Sequence, residues 1–571
     1  MTAAEPLNAT AVDGPVLVQA ECTDGFLTTR CGVHALSLHG VVQGNPDPIG
    51  VLCVPSMADS WMRAYRGVRA AAMDLASHGI PTVRMDWAGM GRSPRPSNEP
   101  FTSQLAAVVH ALRESGGPTH WCLLAHGIGA AIAARVCAED AALSLIAWAP
   151  ERSGRGFLRR AHAFDQLLAL GLEGHPTCVN GYVLSSEAYA DLRSITATPP
   201  SAPQLLASLV GARAVTDLSD MHTLDGLAED VNAIRQVVLD RRRSLVPGAR
   251  WCDPVVAPTV SLPTGGRIDV ARVGTPAVRG VWCRPAPGAR TGVGVVLLNP
   301  GIRPAEGPFH FGVEFGLAMA EEGHVVLLAD QLGMGDSDGR PGVPDHSPYP
   351  ADAGATVRSL VERMGREEGI RSIALGGFCS AAYTAIVAVA EGVPVDLVLA
   401  VNPQLYASGS QAEWQARAAQ LKSGQWMHDV FSVSGSLARA TRALRSPVRA
   451  LRILARQLAQ WRGSHLAATP VPSRPSTDPA TAGAVGCPRH WFPRDVRYAL
   501  VFGAEDLGLR YLRTAEAPLL RALRRDPRVS WTEVPGDDHV AARPATRAVA
   551  ARAFAQALAE QAARLSGAAP R

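Results

Sequence analysis

Ser372-Ile-Ala-Leu-Gly-Gly-Phe-Cys-Ser-Ala-Ala382 is the stretch on which the fold is decided. A short apolar run, Ser372 to Leu375, leads into paired glycines and then into small helix-forming residues, so a buried strand here enters a sharp turn and a helix. The backbone folds tightly around the apex of such a turn, and the residues two before and two after it must be small. With Cys379 at the apex these are Gly377 and Ala381. With Ser380 they are Phe378 and Ala382, and Phe378 would clash. The frame selects Cys379.

Working outward, the same order of elements occurs twice along the chain. In the second half, Val293 to Leu298 (VGVVLL) is a strand running into Asn299, Pro300 and Gly301. A helix-period segment follows over Val313 to Glu322, then a strand over Val325 to Ala329. In the first half, Ile49 to Val54 (IGVLCV) runs into Pro55 and Ser56, with a helix over Tyr65 to His78 and a strand over Pro81 to Met85. Both halves then carry nearly the same turn, Asp86-Trp-Ala-Gly-Met-Gly-Arg-Ser93 and Asp330-Gln-Leu-Gly-Met-Gly-Asp-Ser337, whose glycines suit a tight reversal. The first half also has its own strand and turn, Trp121 to Leu124 before Ala125-His-Gly-Ile-Gly-Ala130. Strands alternating with helices predict the α/β class, with one doubly wound, mainly parallel sheet in each half.

At 571 residues the chain exceeds the roughly 250–300 residues at which single cores stop growing. Arg-rich and Pro/Gly-containing sequence between about 235 and 265 separates the repeats, giving domains over 1–250 and 260–571. Hydrophobic residues at 47% and charged residues at 19% describe a globular protein rather than a disordered one. No apolar run nears the roughly 20 residues of a membrane span, and Met1 to Asp13 lacks a basic segment followed by an apolar one, so a cytoplasmic location is expected. The net charge of +4 comes from arginine, Lys422 being the one lysine. Arg241 to Arg243 and Arg439 to Arg456 lack interleaved aromatics, which argues against nucleic acid as a partner. Ten cysteines without CxxC or Cys/His ligand spacing argue against zinc and against a disulfide framework, and no metal or cofactor is expected. Nothing in the sequence sets an oligomeric state.

A strand, a strained turn and a helix with a thiol at the apex match the nucleophile position of the α/β-hydrolase fold, whose triad runs in chain order nucleophile, acid, base. Downstream, Tyr498 to Phe502 reads as a strand and is followed by Glu505 and Asp506. Asp506 is preferred as the acid, with Glu505 and a purely helix-capping Asp506 as the alternatives. Val529 to Val534 alternates like an edge strand, and His539 follows it before a terminal helix over Arg547 to Leu565, where a general base belongs. Two backbone donors for an oxyanion map to Ser380 and to the Gly301–Ile302 loop. The helical, Arg-rich sequence around Trp414 to Gln460 suggests a lid within about 405–465, and Ser464 to Gly486 reads as a surface loop.

Laid on the first half, the same frame puts Gly127 at the apex, and glycine has no nucleophilic atom. His126 precedes that apex, and Asp217, Asp220 and His222 follow no clear strand. The first domain therefore reads as a silent copy.

Asn299-Pro-Gly301 with Gly307-Pro308, Asp330 to Gly339, Gly377-Phe-Cys-Ser-Ala381 and Val401-Asn-Pro403 resemble the type-2 hydrolases associated with exosortase A systems, the cell-surface polysaccharide loci of bacteria. That family shows a cysteine at the elbow, and Ala381 stands here where a glycine is usual. Asp86 to Ser93 and Leu145 to Phe157 resemble the companion type-1 group. Motif and resemblance together imply an acyl-group hydrolase or acyltransferase working through Cys379, His539 and Asp506. Its substrate would be a small-molecule ester or thioester, acyl or glycan-derived, in polysaccharide or natural-product biosynthesis. The competing reading is a non-catalytic binding or scaffold protein of the same fold.

Overall fold

A computed structural model of the chain describes residues 22–40, 48–167, 177–179, 182–196, 204–209, 227–246, 256–301, 303–339, 349, 353–407, 491–535 and 544–567. Among the described residues the first domain shows strands β1 (Cys22–Thr29), β2 (Gly32–His39), β3 (Ile49–Val54), β4 (Thr82–Met85), β5 (His120–His126), β6 (Leu143–Trp148), the small hairpin β7 (Cys178–Val179) and β8 (Tyr182–Val183), and β9 (Leu205–Leu209). Its main sheet has the order β1-β2-β4-β3-β5-β6-β9. It is antiparallel from β1 to β4 and parallel thereafter. Its described helices are α1 (Ala58–Ser77), α2 (Phe101–Glu114), α3 (Ile128–Glu139), α4 (Gly154–Leu167), α5 (Ser186–Ser194) and α6 (Leu227–Arg243).

The second domain repeats this plan with β10 (Thr259–Ser261), β11 (Arg267–Val273), β12 (Val278–Arg284), β13 (Val293–Leu298), β14 (Val325–Ala329), β15 (Ser372–Phe378), β16 (Leu397–Val401), β17 (Arg497–Gly503) and β18 (Val529–Val534). The order is β10-β11-β12-β14-β13-β15-β16-β17-β18, and the six strands from β14 onward are parallel. Its helices are α7 (Phe311–Glu321), α8 (Ala353–Gly365), α9 (Ser380–Ala390), α10 (Leu507–Thr514), α11 (Ala517–Arg525) and α12 (Pro544–Leu565). Every residue of β3, β13, β14 and β16 is buried. Both faces of these strands meet apolar layers, which is why they read as continuous apolar runs rather than alternating ones. No helix among the described residues is long and apolar enough to cross a membrane.

Two points of the sequence reading need adjusting. The antiparallel strands that open each sheet carry mixed polar and apolar residues and escaped the apolar-run reading. Helix α1 begins at Ala58 rather than Tyr65, because Met57 at its N-cap makes no side-chain capping bond and leaves no start signal. Of the region expected to form a lid, Leu405–Ala407 is a single 3₁₀ turn; the rest, like Ser464 to Gly486, lies outside the described residues.

The two near-identical turns sit where the domains meet. In each, the leading carboxylate accepts the amide of the seventh residue: Arg92 N to Asp86 at 3.0 Å, Asp336 N to Asp330 at 2.9 Å. The closing serine accepts an amide from the last antiparallel strand of its sheet, Ala35 N of β2 at 2.9 Å and Arg279 N of β12 at 2.8 Å. The seventh residues then pair across the interface, Arg92 with Asp336 at 3.2 Å. Arg84 also binds Asp336, and Asp24 of the first domain binds Arg279 of the second at 2.8 Å. Arg84, Arg279 and Asp336 are all under one tenth exposed, so the pairs are effectively buried. A backbone bridge between Phe26 and Ala257 ties the connecting segment to β1.

Candidate active site

Cys379 caps α9 with φ 57 and ψ −117, a left-handed conformation that a residue with a side chain rarely adopts, at the C-terminal end of β15. Its amide donates to the Val401 carbonyl at 2.9 Å, and its side chain is half-buried. A Cβ built on Gly377 would lie 2.5 Å from that of Ala381 and 3.1 Å from the Leu298 carbonyl oxygen. The close approach of strand and helix behind the apex therefore forbids a side chain at 377. Gly377→Ala is expected to cost roughly 1–3 kcal/mol by overpacking, read as a lower urea midpoint; an unchanged midpoint would mean that the elbow yields freely.

Ser380 opens α9, where first-turn amides lack intrahelical partners and face the apex. Its side chain is engaged elsewhere, because Ser380 Oγ accepts the Gly301 amide at 2.6 Å. The Gly301 N–H is thus committed within the protein, which corrects its assignment as a free oxyanion donor. Ile302 lies outside the described residues.

The acid side follows from sheet order. Strand β16 separates β15 from β17, so residues after β15 and after β17 share one end of the sheet, two strands apart. Asp506, just past β17, is fully buried, whereas Glu505 points to solvent. One Asp506 oxygen accepts the Gly508 amide at 2.7 Å, so the residue does cap α10. Tyr406, from the turn after β16, lies between the two ends: burial first, then the charges of Cys379 and Asp506, push its hydroxyl well above the usual phenol range. His539 lies outside the described residues, as do Asp217, Asp220 and His222.

Sequence reasoning missed the tyrosines around the thiol. Tyr383 stacks edge-on against Tyr349 at 5.4 Å and against Trp491 at 5.7 Å. Burial, followed by the charge of Cys379, raises the Tyr349 hydroxyl. Tyr383 stands four residues beyond Cys379, a spacing that places it on the same helix face and that could have signalled its role. Among the described residues no group of three or more His, Cys, Asp or Glu side chains could hold a metal ion.

The first domain keeps the elbow without the atom. Gly127 has φ 58 and ψ −126, and its amide donates to the Trp148 carbonyl at 3.0 Å, matching Cys379. A Cβ there would lie 2.6 Å from Ser56 Oγ, so the space of a nucleophile is occupied from the neighbouring loop. His126 packs edge-on against Trp148 at 6.0 Å, and burial lowers its pKa to about 4.

A strained elbow at the end of a central parallel strand, in a sheet of this order, defines the α/β-hydrolase fold, and the chain carries it twice. The sequence profile of the family described as alpha/beta hydrolase fold matches residues 50–217, within the first domain. No curated protein matches the chain. Similar solved structures include a dienelactone hydrolase from Anabaena variabilis (11% identity, 51% of this chain and 96% of that one, TM-score 0.28). An alpha-beta serine hydrolase homologue from Coxiella burnetii is also similar (12%, 50% and 95%, TM-score 0.27). So is an esterase from Pyrococcus furiosus (12%, 51% and 94%, TM-score 0.30).

Proposed function

We propose that the second domain is an acyl-group hydrolase or acyltransferase in which Cys379 attacks the carbonyl of an ester or thioester. His539 takes the thiol proton and Asp506 orients the imidazole. A covalent acyl-enzyme is then resolved by water or an alcohol. The observation that carries this reading is the conformation of Cys379: a thiol held at positive φ at the head of a helix, flanked by Gly377 and Ala381. The buried carboxylate of Asp506 at the same end of the sheet supports the assignment of the acid. Gly127 and the intruding Ser56 support a first domain without chemistry of its own. The motif resemblance favours a small acyl or glycan-derived substrate.

Alkylation of the native protein with iodoacetamide tests this. Burial pushes the thiols of Cys22, Cys53, Cys122, Cys137 and Cys283 up to about 12, so they are poor nucleophiles near neutrality. Peptide mapping is expected to place the fastest label on Cys379. Labelling of Cys379 no faster than these five would leave the binding or scaffold reading as the better one.

A further inference from the structure

Strand β16 runs between the elbow and the acid strand, and the residues at its end hold both neighbours. On one side the Val401 carbonyl accepts the Cys379 amide at 2.9 Å. On the other, the next residue, Asn402, is tied to β17: its amide donates to the Val501 carbonyl at 2.8 Å, and its side-chain oxygen accepts the Gly503 amide at 2.7 Å. Asn402 is fully buried. Gly503 in turn accepts the Asp506 amide on its carbonyl at 3.0 Å, and an Asp506 oxygen accepts the Gly508 amide at 2.7 Å. Gly508 lies so close to Pro403 that a Cβ on it would collide with the Pro403 carbonyl oxygen. The segment that carries the carboxylate, 503–508, is thus clasped at both ends by residues 402 and 403. Two consecutive residues, Val401 and Asn402, fix the apex and the acid segment to one another across a single strand.

The first domain supplies an internal control. There the Trp148 carbonyl accepts the Gly127 amide at 3.0 Å, as Val401 does for Cys379, and the residue that follows, Ala149, has φ 45 against φ 48 for Asn402. The left-handed kink after the strand is common to both domains and belongs to the fold. Asparagine enters that conformation more readily than most residues with a side chain, yet Ala149 adopts it without the help of a side-chain hydrogen bond. What the first domain lacks at this position is the side-chain acceptor, and it lacks the nucleophile as well. The acceptor goes with the thiol.

We infer that Asn402 is a positioning residue for the reaction at Cys379. By pinning Gly503 it sets where the Asp506 carboxylate stands relative to the elbow, and so how firmly that carboxylate orients the imidazole that activates the thiol. Asn402 acts through Asp506 and is not itself catalytic. This inference rests on the proposed roles of Cys379, His539 and Asp506.

The test uses the full-length chain and two readouts, steady-state hydrolysis of p-nitrophenyl acetate and the pH profile of Cys379 alkylation by iodoacetamide. Asn402→Ala copies the first domain's residue at the same backbone conformation. It is expected to lower kcat on the order of 10- to 100-fold with KM held within about twofold, because orientation is lost while the contacts of the bound ester are unchanged. An imidazolium held less firmly stabilises the thiolate less, so the midpoint of the alkylation profile should move up by roughly one pH unit. Asn402→Asp leaves an oxygen to accept the Gly503 amide and is expected to restore most of kcat. Asn402→Gly, which takes the left-handed backbone without strain, is a second variant should Asn402→Ala fold poorly, with the same losses expected. A merely structural asparagine would change the yield of folded protein and leave kcat per alkylatable Cys379 and the pH midpoint where they are. That result, or an Asn402→Asp variant as slow as Asn402→Ala, would overturn the inference while leaving the role of Cys379 standing. A parent protein in which Cys379 is neither acylated by the ester nor alkylated faster than the buried thiols would overturn both.

Discussion

Cys379→Ala is expected to lower kcat/KM for an activated ester by at least ~10³-fold, because the variant loses the group through which the proposed covalent intermediate would form. The thermal midpoint should move by no more than about 3 °C, since the change deletes one half-buried sulfur and retains a Cβ at the apex. Cys379→Ser separates nucleophile from shape: the hydroxyl fits the elbow, yet a base matched to a thiol, as proposed for His539, would activate an alcohol poorly, so low activity is expected there as well. Steady-state hydrolysis of p-nitrophenyl acetate, with intact-mass detection of the acetylated protein, reads both variants. Full hydrolysis by the alanine variant would move the chemistry elsewhere in the molecule.

Asp336→Ala is expected to destabilise the protein by about 3–5 kcal/mol, because it strands the buried guanidinium of Arg84 without its counter-charge, while Arg92 keeps Asp24 at 3.3 Å and Asp86 at 4.0 Å. Combining it with Arg84→Met should recover roughly 1–2 kcal/mol, since one orphaned charge is removed with it. Urea unfolding followed by tryptophan fluorescence reports both, and a loss under about 1 kcal/mol for the single variant would mean that the cluster is hydrated in solution. The pH dependence has a defined sign. Burial would raise the Asp336 carboxyl, but Arg84, Arg92 and Arg69 outweigh it and hold the group far below the usual carboxylate range. Its folded value lies under its unfolded one. The stability it contributes is therefore present above about pH 4 and drains away as the pH falls further. Asp330 runs the other way: burial and the nearby Asp336 charge raise it to about 7, so its contribution is full below about pH 4 and is lost as the pH climbs through 7. The two contributions cross near pH 4, where the interface should be most stable, and Asp336→Ala should remove the acid limb and also weaken the alkaline one, because the Asp336 charge is part of what raises Asp330.

The elbow was legible because its requirement is local. Tight backbone packing restricts positions 377 and 381 to small side chains, and that restriction is written at fixed spacing from Cys379. The buried parallel strands were legible for a similar reason: Val293–Leu298 and Val325–Ala329 have no polar face to break the run. Features that depend on partners distant in sequence were not. Arg84 and Asp336 are 252 positions apart, and neither residue type announces that it will be buried. The Gly301 amide counted as a free donor by analogy of position, and only the placement of Ser380 Oγ shows it to be engaged. The aromatic wall of Tyr349, Tyr383 and Trp491 gathers from three separate segments, of which only Tyr383 keeps a helical spacing from the thiol.

The opposite charges at the seventh position of the two turns bear on how this chain can associate. A pair of identical first domains, docked as these two are, would set Arg92 against Arg92. A pair of identical second domains would set Asp336 against Asp336. Like charges at that position disfavour either self-pairing, whereas the pairing of one half with the other is charge-matched. Whatever larger assembly the protein forms must use a different face.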